Sequence, residues 1–252
     1  MTDNVLERAK LLLDSGSQKT APRQLGGTSR IVYPTQGLDL YLMMDTTGSM
    51  KPYITTVREN VHVVNSELLT DNNDVRISIN GVGDHCDGSN YLQMYVLSSN
   101  HAEIRGALEG IVMTHGGDEP EAYECAALAL AQRIPQESPG RKRAVVLIGD
   151  SYPHGMKDAS CDVDYKFAFT ALKTLCDGFY FVGCDQATYG LQRQLVTNNG
   201  KEYHIPLGQM VDVLPQLLIA MARKTQSPLA LANYLRTLGS EQQKKIEGLL
   251  PP

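Results

Sequence analysis

The 252-residue sequence predicts an α/β fold: a Rossmann-like, doubly wound, mostly parallel six-stranded sheet with one antiparallel edge strand and helices on both faces. Three observations carry this reading. The runs LDLYLMM (38–44), AVVLIG (144–149) and GFYFVGC (178–184) are apolar without alternation, as strands buried on both faces are. Segments with apolar residues at helical spacing separate them. Polar loops rich in side-chain oxygens follow the strand ends, where ligands bind in sheets of this kind.

The elements follow in order. Residues 1–16 read as a short amphipathic helix closed by Gly16, and the Ser-, Gly- and Pro-rich stretch after it reads as an extended arm, so that 1–36 precede the main domain. After the strand at 38–44, Ile54, Val57, Val61, Val64 and Leu68 set a helix over 53–69. VRISINGVG (75–83) alternates as a strand does, and NYLQMYVL (90–97) alternates in turn, which makes it the antiparallel neighbour across the loop at 84–89. Helices are expected at 101–111 and 122–134, the latter strongly apolar, before the buried strand at 144–149. A helix at 162–175, the strand at 178–184, a helix at 189–197, a short edge strand at 201–205 and a helix at 208–224 complete the domain, which spans 37–225. Pro215 marks a helix start or a kink. Residues 226–252 carry two short helical patterns. Neither can form a core alone, so Leu231, Leu235 and Leu238 pack on the domain or bind a partner's groove.

Composition narrows the function classes. The net charge of −5 argues against a nucleic-acid binder, and the one basic cluster, RKR at 141–143, reads as the solvated entry of a strand. No apolar run reaches the roughly 18 residues of a membrane span, and the N-terminus lacks a signal peptide's basic start. Five cysteines at irregular spacing do not form a disulfide framework, and a reducing cytoplasm is the expected location. Cys125 and Cys176 fall on apolar helix faces and read as small core residues. The motifs GxSxG, GxGxxG and GxxxxGK[ST] are absent from the positions that would need them, so neither a serine hydrolase nor a nucleotide site is expected.

The chemistry gathers in four loops: DTTGSM (45–50), GDHCDG (83–88), THGGDEPEA (114–122) and GDSYPHG (149–155). Asp45 and Asp150 each end a buried strand, a placement that packing does not favour. DTTGSM admits three readings. A helix cap explains one hydroxyl but leaves Asp45 unexplained. A phosphoryl-transfer site would make Asp45 the nucleophile, and IGDSYPH resembles the late motif of haloacid-dehalogenase-like phosphatases. Thr47, however, stands where their acid/base aspartate would be. A metal cradle uses Asp45, Thr47 and Ser49 together, because i, i+2, i+4 spacing on an extended turn aims three oxygens at one point. A hard cation such as Mg²⁺ takes such ligands, and neutral hydroxyls leave charge to attract a partner's acidic group.

Together these loops resemble a von Willebrand factor A domain, and most closely the intracellular branch found with alpha-kinase-like proteins and in bacteria. Its metal-ion-dependent adhesion site begins with DxSxS or DxTxS, here Asp45, Thr47 and Ser49, and DH, GGDxPEA and DxPPHG-like segments follow. The resemblance covers about 36–224. It implies Mg²⁺ (or Ca²⁺ or Mn²⁺) held by Thr47 and Ser49, with Asp45 and Asp150 acting through water or accepting hydrogen bonds from behind the ligands. It also implies a ligand from the middle loop, for which Asp118 is the candidate and Thr114 the alternate. The function implied is protein interaction, an adaptor or scaffold docking another protein at the metal face, rather than catalysis. His85, Cys86, His115, His154 and Cys161 could be read as a zinc set, but their spacing is irregular. His85 and His154 read instead as residues that hydrogen-bond the metal-bearing loops.

Overall fold

The computed structural model describes residues 37–70, 74–156, 162–196, 202–206 and 211–250; the expected helix at 1–16, the arm to 36 and Cys161 lie outside them. The strands are β1 (Leu38–Asp45), β2 (Val75–Val82), β3 (Leu92–Met94), β4 (Lys142–Gly149), β5 (Gly178–Gly183) and β6 (Glu202–Pro206). They form one six-stranded sheet in the order β3-β2-β1-β4-β5-β6. All neighbours are parallel except β2 and β3. The helices are α1 (Lys51–Thr70), α2 (His101–Gly110), α3 (Tyr123–Glu137), α4 (Tyr165–Leu175), α5 (Tyr189–Val196), α6 (Leu214–Gln226), α7 (Pro228–Leu235) and α8 (Ser240–Leu249). Strand order reverses between β1 and β4, so their carboxyl ends flank the crevice where such sheets bind ligands.

The period of two along each strand distributes the core between two layers. Leu38, Leu40, Leu42 and Met44 of β1 join Ala144, Val146 and Ile148 of β4 and Tyr180 and Val182 of β5 on one face, against α1, α2 and α6. Tyr41, Met43, Val145, Leu147, Phe179 and Phe181 face the other way, against α3, α4 and α5. Both faces of β1, β4 and β5 are covered, which is why those strands read as continuous apolar runs. Side-chain caps fix several helix starts: Asn100 accepts from Ala102 N at 2.8 Å, and Ser227 accepts from Ala230 N at 3.0 Å. The helix expected from 162 begins at Tyr165, where Asp164 caps it through Lys166 N at 2.7 Å.

The antiparallel strand is shorter than its alternation predicts. Pairing with β2 covers Leu92–Met94 and returns only as an isolated bridge between Ile77 and Ser98. Side chains take over in between. Tyr95 N donates to Asn80 Oδ1 at 3.2 Å, and the Tyr95 carbonyl accepts from Ser78 Oγ at 2.6 Å and Arg133 Nη2 at 2.8 Å. The backbone at 95 is thus satisfied without a ladder, and the strand ends.

The tail packs on the chain's own domain. Tyr234, Leu235, Ile246 and Leu250 are buried in the cluster that contains α6, with Leu231 and Leu238 packed against it. This explains why α6 is buried almost all round: the sheet covers one side and the tail the other. Pro215 sits in the first turn of α6, as a helix start.

At the amino ends of the strands, the RKR triplet is fully engaged. Asp39, with no exposed side-chain surface, accepts from Arg141 Nε at 2.7 Å and from Arg76 Nη2 at 2.6 Å. Arg141 also pairs with Asp74 at 2.6 Å, and Lys142 with Asp177 at 2.7 Å. Arg143 donates to the carbonyls of Ser138 and Leu175 at 2.7 and 3.0 Å. Asp39→Ala should lower stability by about 2–3 kcal/mol in urea unfolding, below the usual figure for a fully buried pair because both arginines reach solvent. Ile246→Ala should cost about 2–4 kcal/mol in the same assay, because its side chain is fully buried. An Ile246→Ala protein as stable as the parent would show that the tail does not belong to this core.

Candidate metal centre

The loops after β1 and β4 form one chain of oxygens across the crevice. Asp45 ends β1, fully buried, and its Oδ1 accepts from Thr47 N at 2.8 Å and Thr47 Oγ1 at 2.7 Å. Thr47 Oγ1 lies 3.3 Å from Ser49 Oγ, which donates to Asp150 Oδ1 at 3.1 Å. Four of the residues singled out in the sequence are therefore adjacent in space, three from the β1 side of the strand reversal and one from the β4 side. Ser49 is exposed and Thr47 is not, so the chain runs from the interior to solvent.

Two further residues, Tyr123 and Glu121, complete this group, and neither is signalled by spacing. The Tyr123 hydroxyl, fully buried at the start of α3, donates to Asp45 Oδ2. Room for that ring depends on Gly149, where a Cβ would fall 2.1 Å from the Tyr123 oxygen and 3.2 Å from Asp45 Cβ. Glu121 is 4% exposed, and its Oε2 has no hydrogen-bond partner. Its carboxyl lies beside Thr47: a Cβ at Gly116, a position with φ of +67°, would meet Glu121 Oε1 at 3.2 Å and Thr47 Cβ at 3.4 Å.

The other predicted residues lie close by in different company. Thr114 is buried, its Oγ1 3.0 Å from that of Thr46, and its amide donates to the Thr46 carbonyl at 2.8 Å. Asp118 is exposed; its carboxylate stands with Asp84 and His154, ligand atoms all within 4.8 Å of one another. His154 Nε2 lies 2.7 Å from Asp84 Oδ1, and its backbone N–H donates to Glu124 Oε2 at 3.0 Å. His85 Nε2 lies 3.0 Å from Glu124 Oε1. The histidines thus brace the loop at 83–88 and the loop at 149–155 through Asp84 and Glu124.

Hydrogen bonds hold the four loops in register. Asp87 Oδ1 accepts from His115 N at 2.9 Å, joining the second loop to the third. Glu121 N donates to the Tyr152 carbonyl at 2.9 Å, Tyr152 Oη donates to Glu119 Oε2 at 2.9 Å, and Ser151 Oγ donates to the Glu119 carbonyl. Thr188 Oγ1 donates to the Asp150 carbonyl at 2.6 Å, tying in the start of α5.

The electrostatics are one-sided. Among the described residues, no lysine or arginine forms an ion pair with Asp45, Glu121 or Asp150. Burial pushes the Asp45 carboxyl up to about 7, with the Asp150 charge adding to it and hydrogen bonds from Tyr123 and Thr47 opposing it. Burial, and then the charges of Asp45 and Asp84, push Glu121 up to about 10. Asp150 is raised as well, chiefly by burial. The donor set is all oxygen, as a hard divalent cation requires, and no basic side chain among the described residues is paired with its carboxyls to offset their charge when they ionise.

Neither protein-family models nor curated proteins match this chain. Solved structures do. The pilus adhesin SpaC from Lactobacillus rhamnosus GG, in its open conformation, superposes with a TM-score of 0.57 at 14% identity over 77% of this chain. A second structure of SpaC gives 0.58 at 14% identity over 76%. The chain spans about 30% of the adhesin's length, and at this identity the likeness establishes the α/β fold alone.

Two outcomes are expected of the metal-free protein. Folded Asp45 and Glu121 hold protons that the unfolded chain releases, so thermal stability should fall as pH rises from about 5 to about 8. Tyr123→Phe should lower stability by about 1–3 kcal/mol, because a buried Asp45 oxygen loses its donor. A melting temperature that climbs over that pH range would contradict the first.

Proposed function

We propose that this chain is a von Willebrand factor A-type domain that binds one divalent cation, Mg²⁺ (or Ca²⁺ or Mn²⁺), and acts as an interaction module in an intracellular complex. The observation that carries this reading is the buried, unpartnered Oε2 of Glu121 beside the Asp45–Thr47–Ser49–Asp150 chain of oxygens. A buried carboxylate oxygen without a donor is costly, and a cation satisfies it. Asp45, Thr47, Ser49, Glu121 and Asp150 would hold the ion. Glu121 thereby takes the middle-loop role that the resemblance suggests for Asp118 or Thr114. The ion supplies positive charge at the crevice, joins three loops and leaves its solvent side for a docking protein.

Charge shapes what docks there. Three ionised carboxylates around a dication sum to −1, so a partner's acidic residue is drawn less strongly than to a site built on hydroxyls. The ion is held more firmly in exchange. The metal in this reading organises the top face first and contacts the partner second.

The rival, a phosphatase with Asp45 as nucleophile, has less support. Asp45 is fully buried, and both its oxygens are engaged, by Thr47 and by Tyr123. Neither is placed for attack on phosphorus. No helix of the described residues is long and apolar enough to cross a membrane.

Calorimetric titration with Mg²⁺ tests the reading. Glu121→Gln and Asp45→Asn should each weaken binding by at least about 10-fold, while Asp118→Ala should do much less. Equal loss in Asp118→Ala, or none in Glu121→Gln, would remove Glu121 from the site. Capture of a binding protein should also be lost on chelation, and Asp45-dependent hydrolysis of a generic phosphate ester would favour the phosphatase instead.

A further inference from the structure

Beside this all-oxygen group lies a second one of different chemistry. We propose that His85, Glu124 and Cys125 form a separate site for a borderline-soft transition cation of the Zn²⁺ type. His85 opens the turn after β2, and Glu124 and Cys125 lie in the first turn of α3. His85 Nε2 is 3.0 Å from Glu124 Oε1 and 4.0 Å from Cys125 Sγ, and the three ligand atoms all lie within 4.8 Å of one another. Bond lengths of about 2.0–2.3 Å put tetrahedral ligands roughly 3.3–3.7 Å apart, so small side-chain movements seat an ion.

The triangle is built in advance. Ala122 N donates to the Gly83 carbonyl at 3.1 Å, which joins the start of α3 to the end of β2. Glu124 is fully buried, and its Oε2 is anchored by His154 N at 3.0 Å, which leaves Oε1 turned to His85. The His85 ring contacts those of His154 and Tyr91, with centroids 4.7 and 5.6 Å away. The His85 side chain is 36% exposed, so the fourth coordination position opens to solvent.

The donor set selects the ion. An imidazole, a thiolate and a carboxylate suit Zn²⁺ and Co²⁺ and do not suit Mg²⁺ or Ca²⁺. On binding, the Cys125 thiol and any Nε2 proton leave to solvent, and Glu124 and Cys125 together balance the dication's charge. Through Glu124, His154 and Asp84, the ion would tie the loop at 83–88 to the loop that bears Asp150. The site shares no ligand with the proposed Mg²⁺ centre and stands without it.

Co²⁺ titration of the full 252-residue chain in excess Mg²⁺ tests the proposal. One equivalent should produce a near-ultraviolet sulfur-to-cobalt charge-transfer band that Zn²⁺ abolishes. Cys125→Ser should lose the band, and His85→Ala and Glu124→Gln should weaken binding by more than the roughly 10–100-fold typical of an outer partner. Cys86→Ser and Asp45→Asn should keep it, the latter while losing Mg²⁺, so the two centres fail separately. Circular dichroism checks that each variant is folded. No band in the parent, a band that survives in Cys125→Ser, or one that disappears only in Cys86→Ser would overturn the site.

Discussion

Asp45, Glu121 and Asp150 converge at the carboxyl ends of β1 and β4, and no lysine or arginine among the described residues is paired with any of them. Most of the top face is arranged around that imbalance. Thr47 and Tyr123 direct donors at Asp45, Ser49 directs one at Asp150, and Gly149 makes room for the tyrosine ring. These bonds oppose the effect of burial and of the neighbouring charges without cancelling it: the carboxyls of Asp45 and Glu121 remain raised to about 7 and about 10. The opposite end of the sheet shows what compensation looks like: Asp39 is fully buried and bound by two arginines. One end of the molecule is electrically closed, and the other is open to a cation.

The loops that carry these carboxylates are joined to one another. Asp87 spans from the second loop to the third, Glu119 and Glu121 join the third to the fourth, and Thr188 joins the fourth to α5. A cation bound by Asp45, Glu121 and Asp150 would pull on three of these loops at once. His154 extends the same network through Asp84 and Glu124 toward His85 and Cys125, so two neighbouring centres of different hardness would share one scaffold.

Much of the fold was legible because parallel strands covered on both faces must be apolar at every position. The runs at 38–44, 144–149 and 178–184 became β1, β4 and β5. The alternation at 90–97 was a weaker guide, because Ser78, Asn80 and Arg133 satisfy the backbone at Tyr95 with side chains and end β3 at Met94. The tail leucines could have served a partner as well as the chain itself. Only the packing on α6 shows that Leu235 is buried in the chain's own core, with Leu231 and Leu238 against it.

The sequence by itself determined the strand order's raw material and the two aspartates at its reversal, since a carboxylate that ends a buried strand has no packing reason to be there. It also placed Thr47 and Ser49 at spacing that turns both toward Asp45 and Asp150. For the middle loop it offered Asp118, with Thr114 as the alternate. Only the tertiary structure shows which acidic side chain of that loop is buried at the crevice. The amide of Glu121 is tied to the Tyr152 carbonyl, and its side chain is buried beside Thr47. Asp118 is left exposed near Asp84 and His154, and Glu119 receives the Tyr152 hydroxyl. Tyr123 and the His85–Glu124–Cys125 triangle were hidden for the same reason: their partners lie on other elements, and no spacing along the chain records which side chains a parallel sheet will bring together.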